Sequence, residues 1–210
     1  MKKDNEILDF LRRARRLSYI ERCSNTIHIK PYSVAEHSFY IALYTMIFAD
    51  LENERIGEEI YDVGSISNSS SNIKKTYDVF EAVRKALVHD LEESETGDIL
   101  YPMRNMDSDL RDKINEVRDI CVNKVVFSEL PVNVRNYYIR LWSTSKDDSK
   151  EGILVAAMDK FEILMFAIDE LDIGNKAFLK MYKDVKEILF QFTIPSLLSV
   201  LDKIESIYGK

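Results

Sequence analysis

The sequence is poor in the residues that interrupt helices. Its 210 residues include only 6 glycines and 4 prolines, and apolar and polar residues seldom alternate strictly. So few turn-formers argue against a β-rich fold, which needs a turn after every short strand. Charged helix formers are abundant, and the apolar residues recur at helical spacing. We therefore predict an all-α protein.

Cysteines, long apolar runs and excess positive charge are also missing. The cysteines Cys23 and Cys121 form neither a disulfide framework nor a CxxC metal pattern. No apolar run approaches the roughly 20 residues of a membrane span, and the first residues lack the apolar core of a signal peptide. The formal net charge of -7 argues against broad affinity for nucleic acids. These absences predict a cytoplasmic protein that binds neither membranes nor nucleic acid polymers.

The composition is that of a globular chain, with 46% hydrophobic and 31% charged residues. We predict a single domain over residues 1–210, with a flexible polar insertion at about 52–75. The serine-rich part of this insertion, 64–72, has too few apolar residues to order itself by burial. A domain boundary is the competing interpretation.

Residues 86–98 carry the pattern that points most directly to chemistry. An apolar run leads to the His89–Asp90 pair, and Glu93 would follow one turn later if the segment is helical. Imidazole and carboxylate can bind a divalent metal, and a further carboxylate can handle the protons of a water that the metal activates. The alternative is an ordinary helix end. Acids at such an end oppose the helix dipole, a local mismatch typical of functional sites.

Two further side chains suit the same chemistry. His37 falls in the first turn of a helix that Ser33 and Glu36 open as a capping box. Alone, such a histidine more often caps or packs than binds a metal. Arg22 lies in a stretch that leads to a loop, where a guanidinium can form a fork to a phosphate.

Asp159 is the anomaly of the strongly apolar helix predicted at 152–168. Burying an acid there costs free energy unless it is paired or bound to a metal. Lys160 points roughly 100° away around the helix, so it is not an automatic partner. The alternative is that Asp159 faces outward. If Asp159 is buried beside His37, His89 and Asp90, the site has two imidazoles and two carboxylates. Such a set would suit manganese, cobalt, iron, zinc or magnesium.

The order His37, His89–Asp90, Asp159 resembles the signature of the HD-domain metal-dependent phosphohydrolases, an all-α superfamily. A finer resemblance, to the YfbR-like branch of bacterial 5'-deoxynucleotidases, covers most of the chain. A single His-Asp dipeptide is a weak signal, whereas the ordered set is a strong one. The segments that carry the finer resemblance are Glu36–Ser38, Ala86–Glu93, Thr96–Ile99, Met158–Lys160 and Glu170–Phe178.

This resemblance implies an HD-domain helical bundle, a homodimer, and conversion of deoxynucleoside 5'-monophosphates to deoxynucleosides and phosphate. It implies Glu93 as the catalytic acid that positions or deprotonates the attacking water, Arg22 as the grip on the 5'-phosphate and Asp98 at the nucleotide pocket. One divalent ion is implied, with cobalt or manganese favoured over magnesium, iron and zinc. Its ligands would be His37, His89, Asp90 and Asp159; the nucleotide would contact Arg22, Cys23, Asp90, Asp98 and Tyr101.

The sequence departs from this family at two places around the pocket. Cys23 follows Arg22 where the family has a tryptophan that crowds the sugar, and the only tryptophan, Trp142, is distant in the sequence. The choice between deoxyribose and ribose therefore stays open. Tyr101 belongs to a run that replaces the family's usual small, proline-containing segment.

Two other functions stay open. An HD-type nucleoside triphosphate hydrolase would need more cations than Arg22 around its substrate, and Lys85 and Arg104 are the candidates. A non-catalytic nucleotide-sensing HD module would not need Glu93 or a complete set of metal ligands, so their presence argues against it.

Overall fold

The computed structural model describes residues 2–63, 76–100, 103 and 106–209. Within these residues it confirms the all-α prediction: they form helices and contain no β-strand, only an isolated bridge between Glu21 and Ser33. None of the helices in this part of the chain is long and apolar enough to cross a membrane. The α-helices are α1 (Lys2–Ala14), α2 (Val34–Val63), α3 (Val79–Val88), α4 (Glu93–Thr96), α5 (Ser108–Cys121), α6 (Val132–Ser143), α7 (Lys150–Asp172), α8 (Leu179–Leu189) and α9 (Pro195–Tyr208).

The core is built around α7. This helix is apolar on most of its sides, which is typical of a helix surrounded by others. It packs against α2, α3 and α8, and α2 also packs against α3 and α9. Leu154, Met158 and Leu164 of α7 have no exposed surface and belong to the main hydrophobic cluster.

A second hydrophobic cluster fixes the start of α2 beside the turn that follows α3. It joins Leu17, Val34, Leu91 and Phe127, all at most 9% exposed. Because Val34 opens α2 and Leu91 lies in the turn after α3, this cluster brings two candidate ligand segments together.

The predicted capping box at the start of α2 is confirmed. The Ser33 amide donates to Glu36 Oε2 at 2.9 Å, and the Glu36 amide donates to Ser33 Oγ at 3.2 Å, which is the expected capping box. Ser149 caps α7 by accepting from the amide of Gly152 at 3.0 Å.

From the sequence, Thr76 is a plausible N-cap of α3, and this prediction is wrong. Asp78 precedes the helix and accepts from the Glu81 amide at 2.9 Å. The chain is still outside the helix at Tyr77, whose amide donates to the side chain of Asn53 at 2.6 Å.

The prediction of a flexible loop from residue 52 is also wrong for residues 52–63, which continue α2. Glu52 is 2% exposed and Ile56 is 5% exposed, so this charged stretch has a buried side. Glu52 accepts from the amide of Ser196 at 2.8 Å and so caps the start of α9. The rest of the predicted insertion, 64–75, lies outside the described residues.

The loop that carries Arg22 and Cys23 towards α2 is held by Glu170 of α7. This carboxylate has no exposed surface, and it accepts from the backbone amides of Ile29 at 2.9 Å and Lys30 at 2.8 Å. The side-chain amide of Asn175 donates to it at 2.6 Å. A buried acid that satisfies three donors anchors the loop to the core.

Replacing Glu170 with alanine should lower the free energy of unfolding by about 1–3 kcal/mol, because three donors lose a charged acceptor. Denaturant unfolding measures this change. Asp169→Asn is the matched control, since Asp169 pairs with Lys30 on the exposed side of the same helix and exposed pairs contribute little. Equal stability of the two variants would contradict this role for Glu170.

Candidate metal centre

The structure brings the four predicted metal ligands together. His37 lies in the first turn of α2, His89 and Asp90 lie in the turn after α3, and Asp159 lies in the middle of α7. One ligand atom of each residue lies within 4.8 Å of all the others, and all four residues are buried. Asp159 therefore faces inward, not outward.

The segment around His89 is not one continuous helix that reaches Gly97. The helix ends at Val88, residues 89–92 form turns, and the short α4 follows before Gly97 with a φ of +72°. Leu91 packs into the second cluster and pulls the chain away from the axis of α3. The turn still keeps Glu93 on the side of His89 and Asp90.

The histidine nitrogens show why these groups fit a cation. His89 Nδ1 lies 2.7 Å from the carbonyl oxygen of Ala86, which only accepts, so Nδ1 carries the hydrogen. Burial lowers the pKa of His89 and keeps the ring neutral. Its Nε2 lone pair then lies 2.9 Å from Asp90 Oδ2, and this nitrogen has no hydrogen-bond partner among the described residues. Two facing lone pairs are compatible with a metal ion bound by both.

Glu162 orients His37 and was missed in the sequence. Its Oε2 lies 2.5 Å from His37 Nδ1, and it also accepts from the hydroxyl of Tyr32. This leaves His37 Nε2 facing Asp159 Oδ1 at 3.2 Å. A carboxylate behind a histidine is a common support for a metal ligand. Glu162 lies three residues after Asp159 and so on the same side of the helix, which is the sequence signal that could have identified it.

The second oxygen of Asp159 is held by two lysines. Lys146 donates to Asp159 Oδ2 at 2.8 Å and Lys160 at 3.2 Å. The expectation that Lys160 is no automatic partner is wrong, because its long side chain reaches around the helix. Burial raises the pKa of Asp159, but the charges of Lys146 and Lys160 outweigh burial and hold it well below its usual value.

Glu93 lies next to the cluster at the start of α4. Arg22 Nη1 is 3.5 Å from Glu93 Oε2 and 3.4 Å from Asp90 Oδ2. Burial, followed by the charge of Asp90, raises the pKa of Glu93 well above its usual value. A carboxyl group with a raised pKa beside a candidate metal centre is suited to proton transfer.

Asp98 and Cys23 stand on the outer side of Arg22. Asp98 Oδ1 is 3.6 Å from Arg22 Nη1, and Asp98 Oδ2 accepts from the Cys23 amide at 3.3 Å. Cys23 has a φ of +54°, an uncommon conformation for a residue with a side chain. Burial raises the pKa of its thiol to about 11, so a small neutral group lines the wall here.

A cavity of about 530 Å³ opens onto these groups. Its inner end is formed by charged residues, including Arg22, Asp90 and Glu93. Its outer end has an apolar wall made by α7 and α8. This combination of a charged end and an apolar wall is typical of pockets for small polar ligands. The apolar residues of the wall are Ile163, Met181, Val185 and Ile188.

The other predicted positions are Tyr101, Arg104 and Lys85. Tyr101 and Arg104 lie outside the described residues. Lys85 was a candidate for binding extra phosphates, but it is buried and donates to Asp147 and Ser149, both at 2.9 Å. It therefore supports the start of α7 instead.

Comparison with known proteins identifies the chain. A profile of the family described as "5'-deoxynucleotidase YfbR-like" matches residues 9–206. The chain belongs to this YfbR-like family. A 5'-deoxynucleotidase of Enterobacter sp. (strain 638) is 23% identical over 164 residues, which are 78% of this chain and 73% of that protein.

Solved structures agree with the HD-domain fold of this YfbR-like protein. An HD-domain phosphohydrolase from Listeria innocua has a TM-score of 0.73 and 25% identity, over 94% of this chain and 87% of that one. The cyanophage S-2L HD phosphohydrolase DatZ, bound to dA and one catalytic Zn²⁺ ion, has a TM-score of 0.57 and 18% identity. The match covers 91% of this chain and 94% of DatZ. Both likenesses confirm the predicted HD-domain helical fold.

Glu162→Gln should weaken metal affinity by about 10–100-fold, because His37 loses the carboxylate that orients it. Titration of the metal-free protein with cobalt, followed by visible absorption, measures this affinity, and thermal unfolding of the metal-free form checks the fold. Asp169→Asn, exposed on the same helix, is the control. Unchanged cobalt affinity in folded Glu162→Gln would contradict the support of His37 by Glu162.

Proposed function

We propose that this protein is a metal-dependent 5'-nucleotidase that removes the 5'-phosphate from (deoxy)nucleoside monophosphates. The observation that carries the proposal is the meeting of four buried ligand atoms within 4.8 Å of one another, beside Glu93 and Arg22. Membership of the YfbR-like family and relatives named as 5'-deoxynucleotidases support it. DatZ, with its dA and single Zn²⁺ ion, supports a nucleotide substrate and one metal ion.

The chemistry follows from the residues around the cluster. His37, His89, Asp90 and Asp159 would hold a divalent ion, which lowers the pKa of water and offsets negative charge on a phosphate. Glu93 would accept the proton of the attacking water and later deliver one to the departing sugar oxygen.

Arg22 would bind the phosphate oxygens through its guanidinium. It faces Asp90, Glu93 and Asp98 at 3.4–3.6 Å, so a phosphate would have to share this cation with those acids. Asp98 and Cys23 would line the sugar side of the cavity, and the apolar wall would receive the base.

We propose cobalt or manganese as the most effective metal, with magnesium, iron and zinc as alternatives. Two imidazoles and two carboxylates form a mixed nitrogen and oxygen set that suits transition metals better than magnesium or calcium. The small Cys23 side chain leaves room beside the sugar, so AMP and dAMP are both to be tested.

A triphosphate hydrolase is the alternative that one observation favours. Besides Arg22, the main cavity is lined by Lys146, Lys160 and Lys180, whereas the sequence pointed to Lys85 and Arg104 as the candidates. Product analysis with dAMP, AMP and dATP under cobalt or manganese separates the alternatives. Phosphate from the monophosphates supports a nucleotidase, inorganic triphosphate from dATP supports the alternative, and binding without hydrolysis indicates a sensing module.

Two substitutions distinguish the proposed role of Glu93 in proton transfer from that of Asp90 in metal binding. Glu93→Gln should lower kcat by about 10²–10⁴-fold, since it removes the proton acceptor, while the bound metal is retained. Asp90→Ala should abolish metal content and activity together, because a ligand is lost. Steady-state kinetics and elemental analysis of the dialysed proteins measure both. Hydrolysis at the parent rate by Glu93→Gln, or by metal-free Asp90→Ala, would overturn these roles.

We further propose that the chain is a single HD domain that works as a cytoplasmic homodimer, with no membrane or nucleic acid polymer as partner. The family resemblance supports the dimer, and so does an apolar stripe on the outer side of α2. Its members are 40–59% exposed: Phe39, Tyr40, Met46, Ile47 and Leu51.

If this stripe is the dimer interface, Ile47→Glu should convert the dimer to a monomer, because an unpaired charge would be buried there. Sedimentation velocity measures the change. Ile207→Glu, at an exposed isoleucine of α9, is the control and should stay dimeric. A monomeric parent protein, or a dimeric Ile47→Glu, would exclude this interface.

A further inference from the structure

A buried acid lies directly behind the candidate metal centre and takes no part in the proposed chemistry. Glu92 has no exposed surface, although it precedes Glu93 in a short turn. A buried carboxylate is strongly unfavourable unless its oxygens are paired with donors. Its partners come from two helices that supply none of the four candidate ligands.

Arg118 of α5 and Trp142 of α6 satisfy this acid. Arg118 Nε donates to Glu92 Oε1 at 2.5 Å, and its Nη2 pairs with the same oxygen. Trp142 Nε1 donates to Glu92 Oε2 at 2.5 Å. The guanidinium carbon of Arg118 also lies 5.6 Å from the centre of a Trp142 ring, within the range of a cation–π contact.

The same guanidinium reaches the ligand cluster. Arg118 Nη2 lies 3.7 Å from Asp90 Oδ1. The other oxygen, Oδ2, faces His89 Nε2 at 2.9 Å, Arg22 Nη1 at 3.4 Å and His37 Nε2 at 3.8 Å. The two oxygens of Asp90 therefore have different surroundings: Oδ2 faces the ligands, and Oδ1 faces Arg118.

We propose that Arg118 is a positioning residue that orients Asp90 for metal binding, and that Glu92 and Trp142 hold its guanidinium in place. The inference rests on the proposed metal site but not on the identity of the substrate. A partner behind a ligand carboxylate fixes its rotation and restricts which oxygen meets the cation. Arginine suits this task because its planar fork can contact two carboxylates at once, which an ammonium group does less rigidly.

Arg118 lies in a different cavity from the residues proposed to bind the substrate. Arg118 and Trp142 line a smaller cavity of about 290 Å³, which also borders His89 and Lys146. They are not among the residues that line the main cavity, where Arg22 and Glu93 lie. Arg118 therefore contacts the cluster from outside the main cavity.

The test measures cobalt affinity by visible absorption, together with thermal unfolding of the metal-free proteins. Arg118→Met should weaken cobalt binding by about 10–100-fold, and Arg118→Lys should recover part of that loss. Because Arg118→Met leaves Glu92 buried without its cation, the double variant Arg118→Met with Glu92→Gln is included to keep the fold. Arg111→Met, at an exposed arginine of the same helix, is the control and should bind cobalt like the parent.

The double variant decides the inference. Folded protein with weakened cobalt binding and an altered cobalt absorption spectrum supports positioning of Asp90 by Arg118. Folded protein with parental affinity and spectrum would overturn it and leave Arg118 as a purely structural partner of Glu92. A parent protein that binds no cobalt, manganese or zinc would instead refute the metal site, and with it this inference.

Discussion

Negative charge buried where α2, α3 and α7 meet is the constraint on which this site depends. Asp90 and Asp159 are each at most 5% exposed. The two histidines beside them have Nδ1 next to Glu162 and the Ala86 carbonyl, so that Nε2 is the ring nitrogen that faces the cluster. Carboxylates without compensation at such a place would be costly. Cationic side chains lie beside both acids. A divalent cation held by all four groups would offset the charge further, which would link metal binding to folding.

The surrounding residues can be understood as supports for that cluster. Each candidate ligand has a supporting partner: Glu162 for His37, the Ala86 carbonyl for His89, Arg118 for Asp90 and Lys146 for Asp159. These partners come from separate segments of the chain. α7 packs tightly against α2 and α3, and this packing fixes the positions of the candidate ligands relative to one another.

The meeting of the four candidate ligands could be predicted from the sequence because their chemistry conflicts with their surroundings. An acid such as Asp159 in an apolar helix, or acids at the end of α3, are locally unfavourable and so conspicuous. Caps such as Ser33 and Ser149 were predictable for a different reason, since capping depends only on residues within one turn.

The supporting residues could not be predicted in the same way. Lys146 lies in a loop, and Arg118 and Trp142 lie on helices without a motif; only the tertiary packing brings them to the cluster. The stretch 52–63 resembles a loop in the sequence because it is mostly polar, yet Glu52 and Ile56 are buried and Glu52 caps a distant helix. Local sequence carries no signal for contacts of this range.

Anomalous diffraction from crystals of the protein loaded with manganese tests the central claim most directly. The account predicts one strong anomalous peak, within coordination distance of His37, His89, Asp90 and Asp159 together. No peak at this position in crystals that hold manganese elsewhere, or a peak that contacts only one of the four residues, would contradict it.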